Sequence, residues 1–375
     1  MAGLYIHIPF CKSRCIYCGF YSTTDTTLRQ RYVDAVCQEM ISRSEKNEGE
    51  NMRTGIQTIY IGGGTPSQLT LGQLGQLLEK ARTVFDVDDN AEVTVEVNPD
   101  DVTEELAAGL RAIGVNRVSM GAQTFDANRL RFLNRRHTAR QVEEAVSLLR
   151  QSGFDNISID LMYGFPDETL NDWQQDIDAV LRLGVEHLSA YCLMIEEGTP
   201  LHQWAADNGQ WAMDEELERA MYYTLIERLT AAGYEHYELS NFAKPGRHSR
   251  HNSSYWKDIP YIGLGAAAHS YDGQCRRWNV SNLLYYIKGI ENGQPSFEQE
   301  ELDEDTHYND RITVALRTCE GLSLSELTDR QQKYLLRSAQ RYLDDGLLEL
   351  QDGCIKLTRK GLFVSDMVMA DLMMV

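Results

Sequence analysis

The chain has 375 residues, 42% of them hydrophobic and 25% charged, with a net charge of −20. That length allows a core of about 250 residues plus smaller units, and the acidity excludes general DNA or RNA binding, because nucleic-acid phosphate would be repelled. No apolar run approaches the roughly 20 residues that cross a bilayer, and no secretion signal is legible at the start. The expectation is a cytoplasmic protein that is not integral to a membrane.

The first element is a strand, "LYIHIPF", running into the cysteine cluster "CKSRCIYC". As far as about residue 200, β-branched runs then alternate with amphipathic stretches. The strands are "TIYIGGG", "EVTVEVNP", "RVSMGAQ", "ISIDLMYGF" and "HLSAYCLMIE"; the helices include "RQRYVDAVCQEMISRS", "LGQLGQLLEKARTVF", "ARQVEEAVSLLRQSG" and "LNDWQQDIDAVLRLG". Such alternation implies parallel strands with crossover helices, here six units forming an open sheet or an incomplete (β/α)6 barrel. Polar and glycine anomalies fall at the carboxyl ends of these strands: Gly62 to Thr65, Glu96, Asn98, Gln123, Asp160 and Met194. In a parallel barrel that rim is where sites form.

Further on, "DEELERAMYYTLIERLTAAG" reads as a helix, "YEHYELSNF" as a strand, and residues 243–282 as irregular, aromatic and basic. "SNLLYYIKGIENG" is a helix with a glycine stop. The last segment contains "YNDRITVALRT", "RQQKYLLRSAQRYLDDG" and "LLELQDGCIKLT", two helices and then a hairpin turning at Asp352-Gly353. With a terminal helix this resembles a small winged-helix unit. It carries no basic stripe, so it reads as a packing or partner-docking module. The division expected is 1–235 for the partial barrel, 236–300 for an extension and 301–375 for the winged-helix-like domain.

Of the eight cysteines, Cys37, Cys192, Cys275, Cys319 and Cys354 are scattered, which suits a reducing compartment. Cys11, Cys15 and Cys18 are not scattered: their C-x3-C-x2-C spacing supplies three thiolates, one fewer than a closed four-ligand site needs. The readings open are an iron–sulfur cluster with one exchangeable position, a zinc site completed by His7, and three buried thiols. "IGGGTP", about fifty residues later, lacks the Gly-Lys-Ser/Thr of a phosphate loop; glycines at a strand end let a ligand approach the backbone. "YIGLGAAAHS" matches G-x-G-x-x-A but lacks the β-α-β context of a dinucleotide site; its His269 reads either as lining the site or, the preferred reading, as a buried, satisfied histidine.

"CKSRCIYC" resembles the signature of radical S-adenosylmethionine proteins, whose [4Fe–4S] cluster leaves one iron to the cofactor's methionine end. "YIHIPFC", "IGGGTPS", "EVNP", "RVSMGAQTF", "NRRHT", "SIDLMYGFP", "YELSNFA" and "GLGAAAHS" are similar, in order, to the HemN/HemW family. The resemblance implies Cys11, Cys15 and Cys18 as cluster ligands. It implies Tyr5, Tyr17, Gly63, Gly64, Thr65, Glu96, Gln123, Arg135 and Asp160 as S-adenosylmethionine contacts. Two functions occur in that family: oxygen-independent coproporphyrinogen III oxidase, an oxidative decarboxylation, and HemW-type haem chaperone.

Three departures favour the chaperone branch. The oxidases continue as C-x3-C-x2-C-x-C, where this chain has Phe20; they also carry a longer segment before the motif. "HNSSYW" matches the H-N-x-x-Y-W of the HemW group. The implied ligand is haem, with His251 on the iron and Tyr255 and Trp256 against the macrocycle, and with Lys244, Arg247, His248, Arg250, Arg276 and Arg277 nearby for propionates. The implied partner is an acceptor haem protein such as a membrane respiratory enzyme; a homodimer is compatible with the resemblance.

Overall fold

The computed structural model describes residues 2–45 and 55–374. Strand β1 (Ala2–Ile8) leads to helix α1 (Arg29–Glu45), β2 (Gly55–Gly63) to α2 (Leu71–Val84), and β3 (Asp86–Val97) to α3 (Glu104–Ala112). Next come β4 (Arg117–Gln123) with α4 (Ala127–Phe132) and α5 (Ala139–Gln151), then β5 (Ile157–Tyr163) with α6 (Leu170–Leu183). The sixth unit is β6 (His187–Cys192) with α7 (Pro200–Asp207) and α8 (Glu215–Ala231).

The six strands pair in sequence order and all parallel. They are buried on both faces, as parallel strands under crossover helices must be; β1 buries every residue but Tyr5. Threonine caps start the helices: Thr70, Thr138 and Thr169 each accept the backbone N–H three residues on, and Gln73, Gln141 and Asp172 bond back to the cap. Such boxes satisfy two of the orphan N–H groups at a helix start.

The extension consists of β7 (Glu235–Glu238), β8 (Asn241–Ala243), α9 (Arg250–Trp256), β9 (Tyr261–Leu264), β10 (His269–Tyr271), β11 (Cys275–Asn279), α10 (Leu283–Glu291) and β12 (Phe297–Glu301). The stretch 234–242, expected as one strand, is therefore a hairpin, and the supposedly irregular 243–282 holds a helix and three strands. These strands enlarge the barrel sheet at both ends: β8 adds antiparallel to β6, and β9 adds parallel to β1. The sheet thus reaches twelve strands without closing, with β12 and β7 at its edges. Buried Glu39 of α1 anchors the extension. Its carboxylate accepts from the Gly265 N–H, the Asn279 amide and the Tyr286 hydroxyl.

The C-terminal unit runs α11 (Glu304–Ala315), β13 (Leu322–Ser323), α12 (Asp329–Asp344), β14 (Leu348–Gln351), β15 (Cys354–Leu357), α13 (Arg359–Leu362) and α14 (Ser365–Leu372). Its three antiparallel strands and helices enclose a core of their own, including Tyr308, Ile312, Leu335, Ile355 and Val368. The β14–β15 turn puts Asp352 at φ 51° and Gly353 at φ 77°, the two positive φ values that a two-residue hairpin requires. Arg317 ties this unit to the barrel: it pairs with the buried Glu238 at 2.9 Å and lies over the Trp256 ring.

Candidate functional site

The carboxyl ends of the strands open into a cleft of about 710 Å³. The loop after β1 brings Cys11, Cys15 and Cys18 to its wall; β2 contributes Gly63, Gly64 and Thr65, β3 Glu96 and Asn98, β4 Gln123, and β5 Asp160. Tyr17 and Arg135 complete the lining, so the strand-end residues singled out in the sequence, Gly62 excepted, share one cavity. Met194 and Cys192 line it as well. Cys192, read as scattered, reaches the rim because β6 ends there.

Among the described residues, no three His, Cys, Asp or Glu side chains converge as a single metal ion would need. A cubane cluster asks for something else, because each thiolate holds a different iron. His7, the candidate fourth ligand of a zinc site, is committed elsewhere: its ring nitrogens meet the Tyr5 hydroxyl and the Tyr21 carbonyl. Burial raises the thiols of Cys11 and Cys18 above their ordinary range. Thr65 donates its hydroxyl to Cys11 Sγ at 3.6 Å, and Arg135 Nη1 lies 3.6 Å from Cys15 Sγ, both suited to a thiolate.

The glycines form a cradle. A Cβ on Gly64 would lie 2.8 Å from the Ile8 carbonyl oxygen and 3.0 Å from Cys11 Sγ. Gly63 adopts φ 111°, and its N–H donates to Glu96. Gln123 closes β4 at φ 66°, just past a register shift against β5; a left-handed non-glycine residue at a cavity wall is held there by its surroundings, a pattern that concentrates at functional sites. Arg135 donates to Asn98 Oδ1 and the Gly121 carbonyl, leaving its buried Nε without a partner. An acceptor on a bound ligand would satisfy it.

Electrostatically, the cleft floor is carboxylate over a buried cation. Burial pushes the Glu96 carboxyl up to about 7, against the bond from Tyr60, and Asp160 up to about 6, against the pull of Arg117. Arg117 is 1% exposed, with Nε and Nη1 unpartnered. These groups fit a cofactor with an ammonium, a carboxylate and ribose hydroxyls: Glu96 and Asp160 accept, Arg135 donates, and the glycines admit close backbone approach.

Three of the expected site residues lie outside this cleft. Tyr5 does not line this cleft; it packs behind it, 6.2 Å between ring centroids from Tyr60, and its hydroxyl is bonded to His7. His251 has both ring nitrogens engaged within the protein. It is 1% exposed, its Nδ1 lies 2.8 Å from the Thr58 hydroxyl and its Nε2 2.8 Å from the Tyr255 hydroxyl. Trp256 lies under Arg317, at the joint with the C-terminal unit, rather than beside a common ligand plane.

The basic concentration also disperses. Lys244 pairs with Glu186, Arg247 with Asp155, His248 with Glu235, and Arg250 donates to the Asn90 carbonyl. Asp155 and Glu186 immediately precede β5 and β6, so Lys244 and Arg247 sit at the amino ends of barrel strands, away from the cleft. Arg276 is held by Glu300 and Asp310, and Arg277 lies over Phe297.

The sequence pattern of the Radical SAM superfamily matches residues 5–180, and that of the HemN C-terminal domain matches residues 302–364. The haem chaperone HemW of Bacillus subtilis is 35% identical over 369 residues, covering 96% of each chain. HemW of Mycobacterium tuberculosis is 33% identical, covering 99% of this chain and 94% of its own. Among solved structures, the Escherichia coli coproporphyrinogen III oxidase HemN superposes with a TM-score of 0.85 at 23% identity, covering 99% of this chain and 89% of that one. That likeness speaks to the fold. No helix among the described residues is long and apolar enough to cross a membrane.

Proposed function

We propose that the chain, which belongs to the HemW family of the radical S-adenosylmethionine superfamily, binds haem and passes it to an acceptor haem protein. The observation that carries this reading is similarity to haem chaperones along nearly the whole of both chains. Phe20 supports it: where an oxidase would have a further cysteine, this chain presents a phenyl ring that is 68% exposed.

The radical S-adenosylmethionine family implies a [4Fe–4S] cluster and S-adenosylmethionine. In our reading Cys11, Cys15 and Cys18 would hold the cluster. Tyr17, Gly63, Gly64, Thr65, Glu96, Gln123, Arg135 and Asp160 would hold the cofactor. Together such groups supply one-electron chemistry when bound. What the chain itself does there is position: Arg135 is fixed through Asn98 and Gly121, and Glu96 through Tyr60 and Gly63, so the ligand meets prearranged donors and acceptors. Residues 1–235 would carry this site, 236–300 the haem-specific part, and 301–375 the surface that docks an acceptor, which we take to be a membrane respiratory haem protein met from the cytoplasm.

The test has two arms. Anaerobically reconstituted protein is given coproporphyrinogen III, S-adenosylmethionine and a reductant, and is separately titrated with haem. The expected result is saturable haem absorbance at one equivalent and no protoporphyrinogen IX. Turnover to protoporphyrinogen IX without stoichiometric haem uptake would overturn the chaperone reading in favour of the oxidase.

A further inference from the structure

A second cleft, of about 690 Å³, lies beside the first on the far side of the cysteine loop. Arg14, Gly19, Phe20 and Ser22 line both, so the loop is a partition between them. The opposite wall comes from the extension, where β9 pairs with β1 and β10 follows it in the sheet, and from α9. Its volume falls in the range of small-molecule sites, roughly 300–1,000 Å³.

The chemistry of this cleft is unlike that of the first. Aromatic rings dominate: exposed Phe20 on the partition, and Tyr255 and Tyr261 edge to face with centroids 4.7 Å apart. Ala267, on the turn between β9 and β10, is held at φ 61°, a left-handed conformation that a residue with a Cβ adopts at some cost. That turn presents His269.

Three histidines lie at or behind this cleft, and their hydrogen bonds separate them. His7 and His251 are buried with both ring nitrogens engaged. His269 is exposed, stacks on Trp278 at 5.9 Å, and makes no side-chain hydrogen bond to any described residue. Partial desolvation of the ring and nearby Arg276 hold it towards the neutral form, the one that offers a lone pair to a metal. Arg14 at the mouth is exposed and has no carboxylate partner among the described residues, so it is available to an anionic group.

We propose that the second cleft is the haem site, that His269 rather than His251 supplies the axial ligand, that Phe20 and Tyr261 contact the apolar macrocycle, and that Arg14 pairs with a propionate. The proposal rests on the haem-binding reading and names its location. It also gives position 20 a physical role: a thiol there would serve a cluster, whereas a phenyl ring serves a flat apolar ligand on the other side of the same loop.

The test titrates the full-length, cluster-reconstituted protein with hemin and, in parallel, with metal-free protoporphyrin IX. It reads Soret difference spectra and the electron paramagnetic resonance of the ferric iron. His269→Ala should weaken hemin by roughly tenfold or more, about 1.4 kcal/mol, and change the iron's spectrum, while protoporphyrin IX binding stays within roughly threefold. Phe20→Asp should weaken both ligands. His269 is exposed and makes no side-chain hydrogen bond, so its removal should leave the thermal midpoint in place. A wild-type spectrum and affinity in His269→Ala, or equal loss of both ligands, would overturn the ligation while leaving haem binding intact. Failure of the wild-type protein to take up hemin saturably would sink the haem reading itself.

Discussion

Replacing Gly64 by alanine tests whether the glycine cradle and the cysteine loop are one unit. The added Cβ would lie 2.8 Å from the Ile8 oxygen, 2.9 Å from the Pro9 carbonyl carbon and 3.0 Å from Cys11 Sγ. Against the 3.4 Å at which ordinary contact begins, each is short by about half an ångström. Two of the three obstacles are backbone, and Gly64 is pinned there by its own N–H bond to Ile8 at 2.8 Å. The clash is therefore relieved by moving Pro9 to Cys11 away from the cleft, at a cost of about 1–3 kcal/mol, typical of overpacking. For a barrel of this size that lowers the thermal midpoint by about 2–5 °C. Iron and sulfide per protein after anaerobic reconstitution should fall, because Cys11 leaves its place. Gly75→Ala is the control: it lies inside α2, the nearest atom to its Cβ would be 3.6 Å away, and a helical alanine should stabilise by about 0.5–1 kcal/mol with full cluster content. If Gly64→Ala reconstituted a full cluster with an unchanged midpoint, the claimed coupling would be wrong.

Alanine at Cys11, Cys15 or Cys18 should abolish cluster reconstitution, measured as iron per chain, whereas Cys192→Ala, though it lines the same cleft, should retain it. S-adenosylmethionine affinity should fall as pH is lowered through about 7, because Glu96 accepts bonds from the ligand only when ionised; calorimetry on Glu96→Gln should show weaker binding that no longer varies over that range. His251→Ala should destabilise the fold by about 2–4 kcal/mol at neutral pH, since it opens a cavity and leaves the Thr58 hydroxyl unpaired. Its penalty should shrink in acid. The buried ring protonates only near 3, the unfolded one near 6.5, so falling pH favours the unfolded wild type alone. Urea midpoints that stayed parallel from pH 7 to 5 would contradict this.

The parallel core was legible in the sequence because each strand is an apolar run that a polar cleft residue interrupts, at the carboxyl end in β3 and β4 and midway along β5. Glu96, Gln123 and Asp160 stand out against Val, Ile and Met neighbours for that reason. The Asp352-Gly353 hairpin was equally legible, since two adjacent positive-φ residues leave few alternatives. The extension was not. Helix α9 has seven residues and β10 three, too few to display a period. The basic residues around α9 misled because charge was read locally. Glu186 and Asp155, which neutralise Lys244 and Arg247, lie 58 and 92 residues away in sequence and meet them only once the sheet has formed. For His269 the sequence leaves two readings, site-lining or buried and satisfied; the left-handed turn at Ala267, which turns it outward, leaves no signature in composition.

The H-N-x-x-Y-W stretch ties several parts of the molecule together. Its helix is short, and the buried Glu92 side chain accepts the N–H groups of Arg250 and His251 to hold its first turn in place. From there the side chains diverge. His251 locks onto Thr58 of β2, Asn252 faces the first cleft, Tyr255 faces the second, and Trp256 lies beneath Arg317 of the C-terminal unit. Arg317 in turn neutralises Glu238, which is fully buried at the end of β7. About two turns of helix therefore link the barrel, both clefts and the C-terminal unit. A substitution at His251 would disturb haem binding through Tyr255 even if the imidazole never touched iron, because the Tyr255 hydroxyl is held by that ring. Loss of haem in a His251 variant is for that reason weak evidence of ligation, whereas a changed iron spectrum in a His269 variant whose fold is undisturbed is strong evidence.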